Sequence, residues 1–246
     1  MFASMILGTL LLLQGVEIEK MDSAVIQLQS AKAIKSESRG TKGAARVMAL
    51  DNACAAYDAV VKYWPDSGVL TAEAAFRSGE INRSLGRPGA AKGSFEVAFD
   101  QGEGSYFAPR AILEIGHIHR RVSEMDKALE YYGRLVAIKG VPVRYLNDSR
   151  EWAGKVHFEL GHWDKALLSF KQWSVNSEGP TEQVRAVDLQ LGCLLELKQM
   201  EAARVLLAKT MEELTPLSEE PSKEGARLKR ALERMKAPSR LAASGT

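Results

Sequence analysis

Apolar residues recur at three- and four-residue steps along most of the chain, and the recurrences come in pairs separated by short polar turns. That spacing predicts amphipathic helices joined two by two. Four segments align on a central glycine at Gly79, Gly116, Gly154 and Gly192, spaced 37, 38 and 38 residues apart. In the first three, an alanine follows twelve residues later (Ala91, Ala128, Ala166) and an aromatic four beyond it (Phe95, Tyr132, Phe170). The fourth is degenerate, with Ala203 one place early and Leu207 in the aromatic position. Gly86 and Gly161 mark the turn in two copies. Upstream, Ala53, Tyr57 and Val60 repeat the second-helix pattern, closed by Pro65.

Each unit therefore reads as helix, turn, helix. The small Gly and Ala sit where the two helices cross, and the aromatic fills the space towards the next unit. One hairpin cannot bury its apolar face alone, so units must stack and share a continuous core. The fold class expected is all-α, a right-handed superhelix (α-solenoid) of stacked helix-turn-helix repeats. Turn chemistry agrees: Pro65-Asp66-Ser67-Gly68 ends one helix and starts another, Pro88 suits a first helical turn, and Gly179-Pro180 marks a boundary.

The organisation expected is an apolar segment over 1–17, a repeat array over 18–217, a capping helix over 218–238 and a disordered tail over 239–246. Met5 to Leu13 is almost wholly apolar and has the length of a signal-peptide core, short of a membrane span. No Lys or Arg precedes it and no A-x-A site follows. Export to a periplasm or membrane association through this segment is the expectation, with a cytoplasmic protein whose first helix is apolar as the alternative. Residues 18–36 read as an amphipathic helix with Val25, Ile26, Leu28 and Ile34 as its apolar part. A last helix, about 219–236, follows Pro216 and is basic at its end. From Pro221 onward there are seven Lys or Arg against two Glu, a polar outer face for a terminal repeat or a site for an anionic partner.

Composition changes the picture little. The net charge is +2 with 46% hydrophobic residues, which fits a folded chain and gives no bias towards nucleic acid. Cys54 and Cys193 lie far apart among apolar neighbours and read as small hydrophobes. His117 and His119 point about 200° apart on a helix and cannot grip one ion. Phosphate-loop, HExxH and GxSxG signatures are absent. Gly102-Glu103-Gly104 lacks the third glycine of a dinucleotide fingerprint and reads as a long inter-repeat turn. No enzyme, metal, cofactor or small-molecule substrate is expected.

The order Gly, Ala, aromatic, Pro resembles the tetratricopeptide repeat (TPR). The stretch AYDAVVKYWPDSGVLTAEAAFRSGEINRSLG resembles repeats of periplasmic outer-membrane assembly and Tol–Pal-associated TPR proteins. The family's long aromatic early in each first helix is replaced here by Ala75, Ile112 and Arg150. The resemblance implies a concave groove lined by first helices, with Phe76, Glu80, Arg83, Leu113, His117, Arg120, Arg121, Lys155 and Phe158 at its peptide-binding positions. Arg83, Arg120, Arg121 and Lys155 would anchor acidic groups, and Phe76 and Phe158 would be recognition residues if exposed. The function implied is a protein–protein interaction scaffold, in a cell-envelope assembly. Self-association and anionic-partner binding through the basic last helix are the alternatives.

Overall fold

The computed structural model describes residues 18–235, and every regular element among them is an α-helix. The apolar segment over 1–17 and the tail over 239–246 lie outside the described residues. In chain order the helices are α1 (Ala24–Glu37), α2 (Gly43–Tyr63), α3 (Val69–Ser84), α4 (Pro88–Asp100), α5 (Phe107–Arg121), α6 (Met125–Ala137), α7 (Val143–Glu159), α8 (Trp163–Val175), α9 (Pro180–Glu196), α10 (Met200–Ser218) and α11 (Lys223–Met235). Consecutive helices pack as the hairpins α1/α2, α3/α4, α7/α8 and α9/α10. The aligned glycines fall on α3, α5, α7 and α9, and the aligned alanines on α4, α6, α8 and α10. The chain is all-α, an α-solenoid of helical hairpins.

The half-copy read from Ala53, Tyr57 and Val60 is a full hairpin. Its first helix, α1, starts at Ser23, whose hydroxyl accepts from the Ile26 amide, an N-cap that satisfies one orphan donor. α1 buries Ala24, Gln27, Leu28 and Ala31. Val25 and Ile26, expected in its apolar face, are instead exposed at 48% and 46%. The sequence periodicity there is too short to fix the face, and Gln27 goes inward because its amide bonds the Met21 and Glu19 backbone.

The turns after α3, α5, α7 and α9 share one geometry. The amides of Arg87, Glu124, His162 and Gln199 donate to the carbonyls of Asn82, His119, His157 and Leu194, five residues back. The residue before each donor lies in the left-handed region: Gly86 (φ 72), Ser123 (φ 62), Gly161 (φ 72) and Lys198 (φ 57). This is the Schellman C-cap, which consumes orphan carbonyls of the first helix. Pro88 and Pro180 stand at the start of α4 and α9, where a missing N–H costs nothing. The extra length of these repeats sits in first helices such as α7 and α9, each 17 residues, and in the connections over 101–106 and 138–142.

After Ile118, within α5, the chain divides into two compact units. In the first, α1, α2 and α3 enclose Leu28, Leu50, Tyr57, Val60 and Ile81. Phe76, Phe95 and Phe107 form an aromatic cluster there, with Phe76 5.3 and 5.7 Å from the other two rings. In the second, Phe170, Trp173, Val187 and Leu194 lead a core that extends to Leu228, Leu232 and Met235 of α11. α11 packs on α9 and α10 and leaves Arg227, Lys229, Arg230 and Arg234 exposed. The last helix therefore begins later than Pro216 suggested. Pro216 lies inside α10, which runs to Ser218.

Candidate protein-interaction surface

First helices of successive hairpins carry their small residues towards the partner helix and their long polar residues outward. In the first unit those outward residues link neighbouring first helices through ion pairs. Lys32 of α1 meets Glu73 of α3 at 2.9 Å. Glu80 of α3 accepts from Arg77 at 2.7 Å and from Arg110 of α5 at 3.4 Å. Arg83 of α3 is paired with Glu114 of α5. Arg110 also lies 4.5 Å over the Phe76 ring and donates to the Tyr106 hydroxyl at 2.9 Å. Pairs this exposed contribute at most about 1 kcal/mol each, so they set local geometry more than stability.

The second unit has a denser surface. Trp152 of α7 has two cations over its ring, Arg120 at 4.6 Å and the ammonium of Lys155 at 4.4 Å. One residue before the tryptophan, Glu151 is buried and takes Lys155 at 2.6 Å and Arg185 of α9 at 2.8 Å. Arg185 in turn lies over Trp173, whose indole donates to Glu182. A buried carboxylate needs such partners, since an unanswered charge away from water is costly.

Beside this network, between α7 and α9, opens a pocket of about 280 Å³. Phe158 and Leu189 form its walls, Gly192 leaves one side open, and Lys155, Glu159 and Asp188 stand at its rim. A β-carbon on Gly192 would meet nothing nearer than Phe158 at 3.9 Å. Phe170 of α8 also lines it. At Gly79 and Gly154 the aromatic of the second helix fills the space over the glycine, whereas Leu207 replaces that aromatic in the fourth.

Solved structures share this architecture. A MamA protein crystal structure superposes with a TM-score of 0.58 at 18% identity, covering 80% of this chain and 96% of that one. YrrB, described as a TPR protein with an unusual peptide-binding site, gives 0.53 at 19% identity over 85% and 92%. The fold is that of the tetratricopeptide-repeat proteins. PilW, a type IV pilus biogenesis factor, gives 0.51 at 17% identity over 87% of this chain and all of that one. No protein-family model matches the sequence, and no curated protein is significantly similar to it.

Set on this TPR scaffold, the residues singled out from sequence separate into three groups. Phe76 is fully buried and Leu113 is 6% exposed. Both belong to the core, Phe76 because Phe95 and Phe107 surround it, and neither can touch a partner. Arg83 and Lys155 are on the surface but already answered, by Glu114 and Glu151, and so is Glu80, by Arg77 and Arg110. That leaves Phe158 and His117 half-buried, Arg120 against Trp152, and Arg121 exposed. In the second unit Arg120, Lys155 and Phe158 come together around Trp152 and the pocket.

His119 is buried, with Nδ1 2.5 Å from the Glu124 carboxylate and its ring stacked on Tyr131, a packing role. Both Lys127 and His119 hold the Glu124 carboxyl below its ordinary range. Burial raises the thiol of Cys193 to about 12, which makes it a core hydrophobe. Burial likewise raises the Cys54 thiol, which contacts Ser78 and Asn82. Trp152, Arg185 and Leu189 were missed. Nothing in the local pattern separates an outward tryptophan such as Trp152 from an inward one such as Trp173.

Proposed function

We propose that this chain is a protein-interaction scaffold, and that the α7/α9 pocket holds an apolar side chain of a partner segment. The observation that carries the reading is the opening over Gly192, a pocket with aromatic and aliphatic walls on the face formed by first helices. Apolar pockets with charged rims are where interface anchors dock. Glu159 and Asp188 at the rim favour a basic residue beside the anchor. The aromatic and cationic surface of Arg120 and Trp152 extends the contact beyond the pocket. The likeness to TPR proteins, one of them described by its peptide-binding site, supports a binding role over a catalytic one.

Action in a cell-envelope assembly is the finer part of the proposal. It is motivated by the apolar run Met5–Leu13 and by the likeness to a pilus biogenesis factor. No helix among the described residues is long and apolar enough to cross a membrane.

The pocket is tested with Gly192→Leu, which fills the opening from a position where added atoms meet little. A tagged wild-type chain should retain a defined protein from host extract that the filled variant releases, at an unchanged melting temperature. Equal retention by both excludes the pocket as the site. Fractionation of host cells tests location: recovery with soluble cytoplasmic proteins alone excludes the envelope role.

A further inference from the structure

We propose that the exposed face of α11 is a peripheral docking surface for an anionic lipid bilayer, through the row Lys223, Arg227, Arg230 and Arg234. The row lies wholly in the second unit and is independent of the α7/α9 pocket.

Helix geometry makes the row. Leu228, Ala231, Leu232 and Met235 are buried where α11 packs on α9 and α10, which fixes how the helix is turned. At 3.6 residues per turn, positions 223, 227, 230 and 234 then fall within about 60° of arc, clear of that core, along roughly 16 Å of helix. All four are exposed. The carboxylates of α11 fall off the row. Glu224 accepts from the Thr181 hydroxyl of α9 and stands 3.8 Å from Arg227. Glu233, one residue before Arg234, points about 100° away from it. Glu219 and Glu220 belong to the connection before the helix, so past Glu224 four cations stand against Glu233 alone. Lys223, Arg230 and Arg234 form no ion pair among the described residues.

A cap that only keeps an array soluble asks for interspersed signs. α10 has them, with Arg204 3.7 Å from Glu201 and Lys209 3.7 Å from Glu213. α11 instead sets one sign in line. Helix stability does not account for the row, since Lys223 opens the helix, where the macrodipole disfavours a cation.

The outer face also selects the kind of partner. It carries no apolar side chain larger than Ala226 and no aromatic ring. A protein partner calls for a buried anchor at the centre of the contact, and a single nucleic-acid strand calls for rings on which bases stack. A plane of anionic headgroups needs neither, and basic residues on a helix lying along it supply the attraction. The contact is peripheral because the apolar side of α11 is occupied by the core.

The probe is a pair of vesicle preparations, phosphatidylcholine alone and phosphatidylcholine with phosphatidylserine, sedimented with the full chain at low ionic strength. The chain should favour the anionic vesicles and be released by added salt. Arg230→Ala with Arg234→Ala should weaken that binding by roughly twentyfold, about fivefold for each cation. Lys165→Ala with Lys171→Ala, which removes the same charge from exposed positions of α8, should leave it within about twofold. Arg230→Lys with Arg234→Lys should bind as the wild type does, because a headgroup plane reads charge and not guanidinium geometry. Equal binding to the two vesicle preparations, or equal losses from the α8 and α11 pairs, would overturn the proposal. So would an RNA or an oligoglutamate peptide that the chain holds through Arg230 and Arg234 while the anionic vesicles go unbound.

Discussion

Gly154 of α7 lies so close to the ring of Phe170 on α8 that a β-carbon there would fall 2.5 Å from Phe170 Cε1. The same relation holds at Gly79, where it would fall 2.7 Å from Phe95 Cε1. The repeat glycine and the repeat aromatic, sixteen positions apart in sequence, are thus one steric device. The aromatic enters only because the glycine has no side chain. Gly154→Ala and Gly79→Ala are each expected to destabilise by about 1–3 kcal/mol, the cost of overpacking a filled core. At Gly192 the nearest ring atom, Phe158 Cε2, would stand 3.9 Å from an added β-carbon, an ordinary contact, so Gly192→Ala should be neutral or stabilising by up to about 1 kcal/mol, the helix-propensity gain. Denaturant unfolding of the three variants gives the comparison, and equal losses at all three would contradict the pairing.

The four Schellman turns put two glycines and two other residues in the same left-handed conformation. Ser123 and Lys198 have φ of 62 and 57, a strain that glycine does not carry. Ser123→Gly and Lys198→Gly should each raise stability by roughly 0.5–1 kcal/mol, the relief exceeding glycine's extra entropy in the unfolded chain. Gly86→Ala and Gly161→Ala should lose a similar amount. Thermal midpoints suffice to read the signs.

His157 supplies a pH dependence. Burial lowers its imidazole from the ordinary 6.5, and the charges of Lys165 and His162 add to the effect. Its Nδ1 is buried without a partner. The unfolded chain takes up a proton near 6.5 that the folded chain resists. The stability tied to neutral His157 is therefore fully present above that value and is lost as pH falls through it towards the folded pKa. His157→Phe should leave a smaller decline in thermal midpoint between about pH 7 and pH 5.5 than the wild type shows. An identical decline in the two proteins would remove His157 from the account.

The repeat architecture was legible because glycine, alanine and aromatic recur together, and each has a steric reason that survives without the structure. The turns were half legible. Gly86 and Gly161 announced themselves, whereas Ser123 and Lys198 adopt the same conformation with side chains that give no hint of it. The candidate surface was less legible for a different reason. Groove positions counted from the repeat place a residue on a helix but not its depth, so Phe76 and Phe158 looked alike. Only the packing of Phe95 and Phe107 against Phe76 separates that core ring from Phe158 at the pocket wall. Likewise the answering of Arg83 by Glu114 and of Lys155 by Glu151 depends on which carboxylates neighbouring helices bring within reach.

The central claim, that a partner segment anchors in the α7/α9 pocket, is tested most directly by photo-crosslinking in the host cell. A photoreactive residue is placed at Leu189, in the pocket wall, and for comparison at Val175, which is 84% exposed on α8. A defined protein should form an adduct from position 189, not from position 175, and the adduct should disappear when Gly192→Leu fills the pocket. An adduct with the same protein from position 175 and none from 189, in a chain that melts normally, would contradict the account.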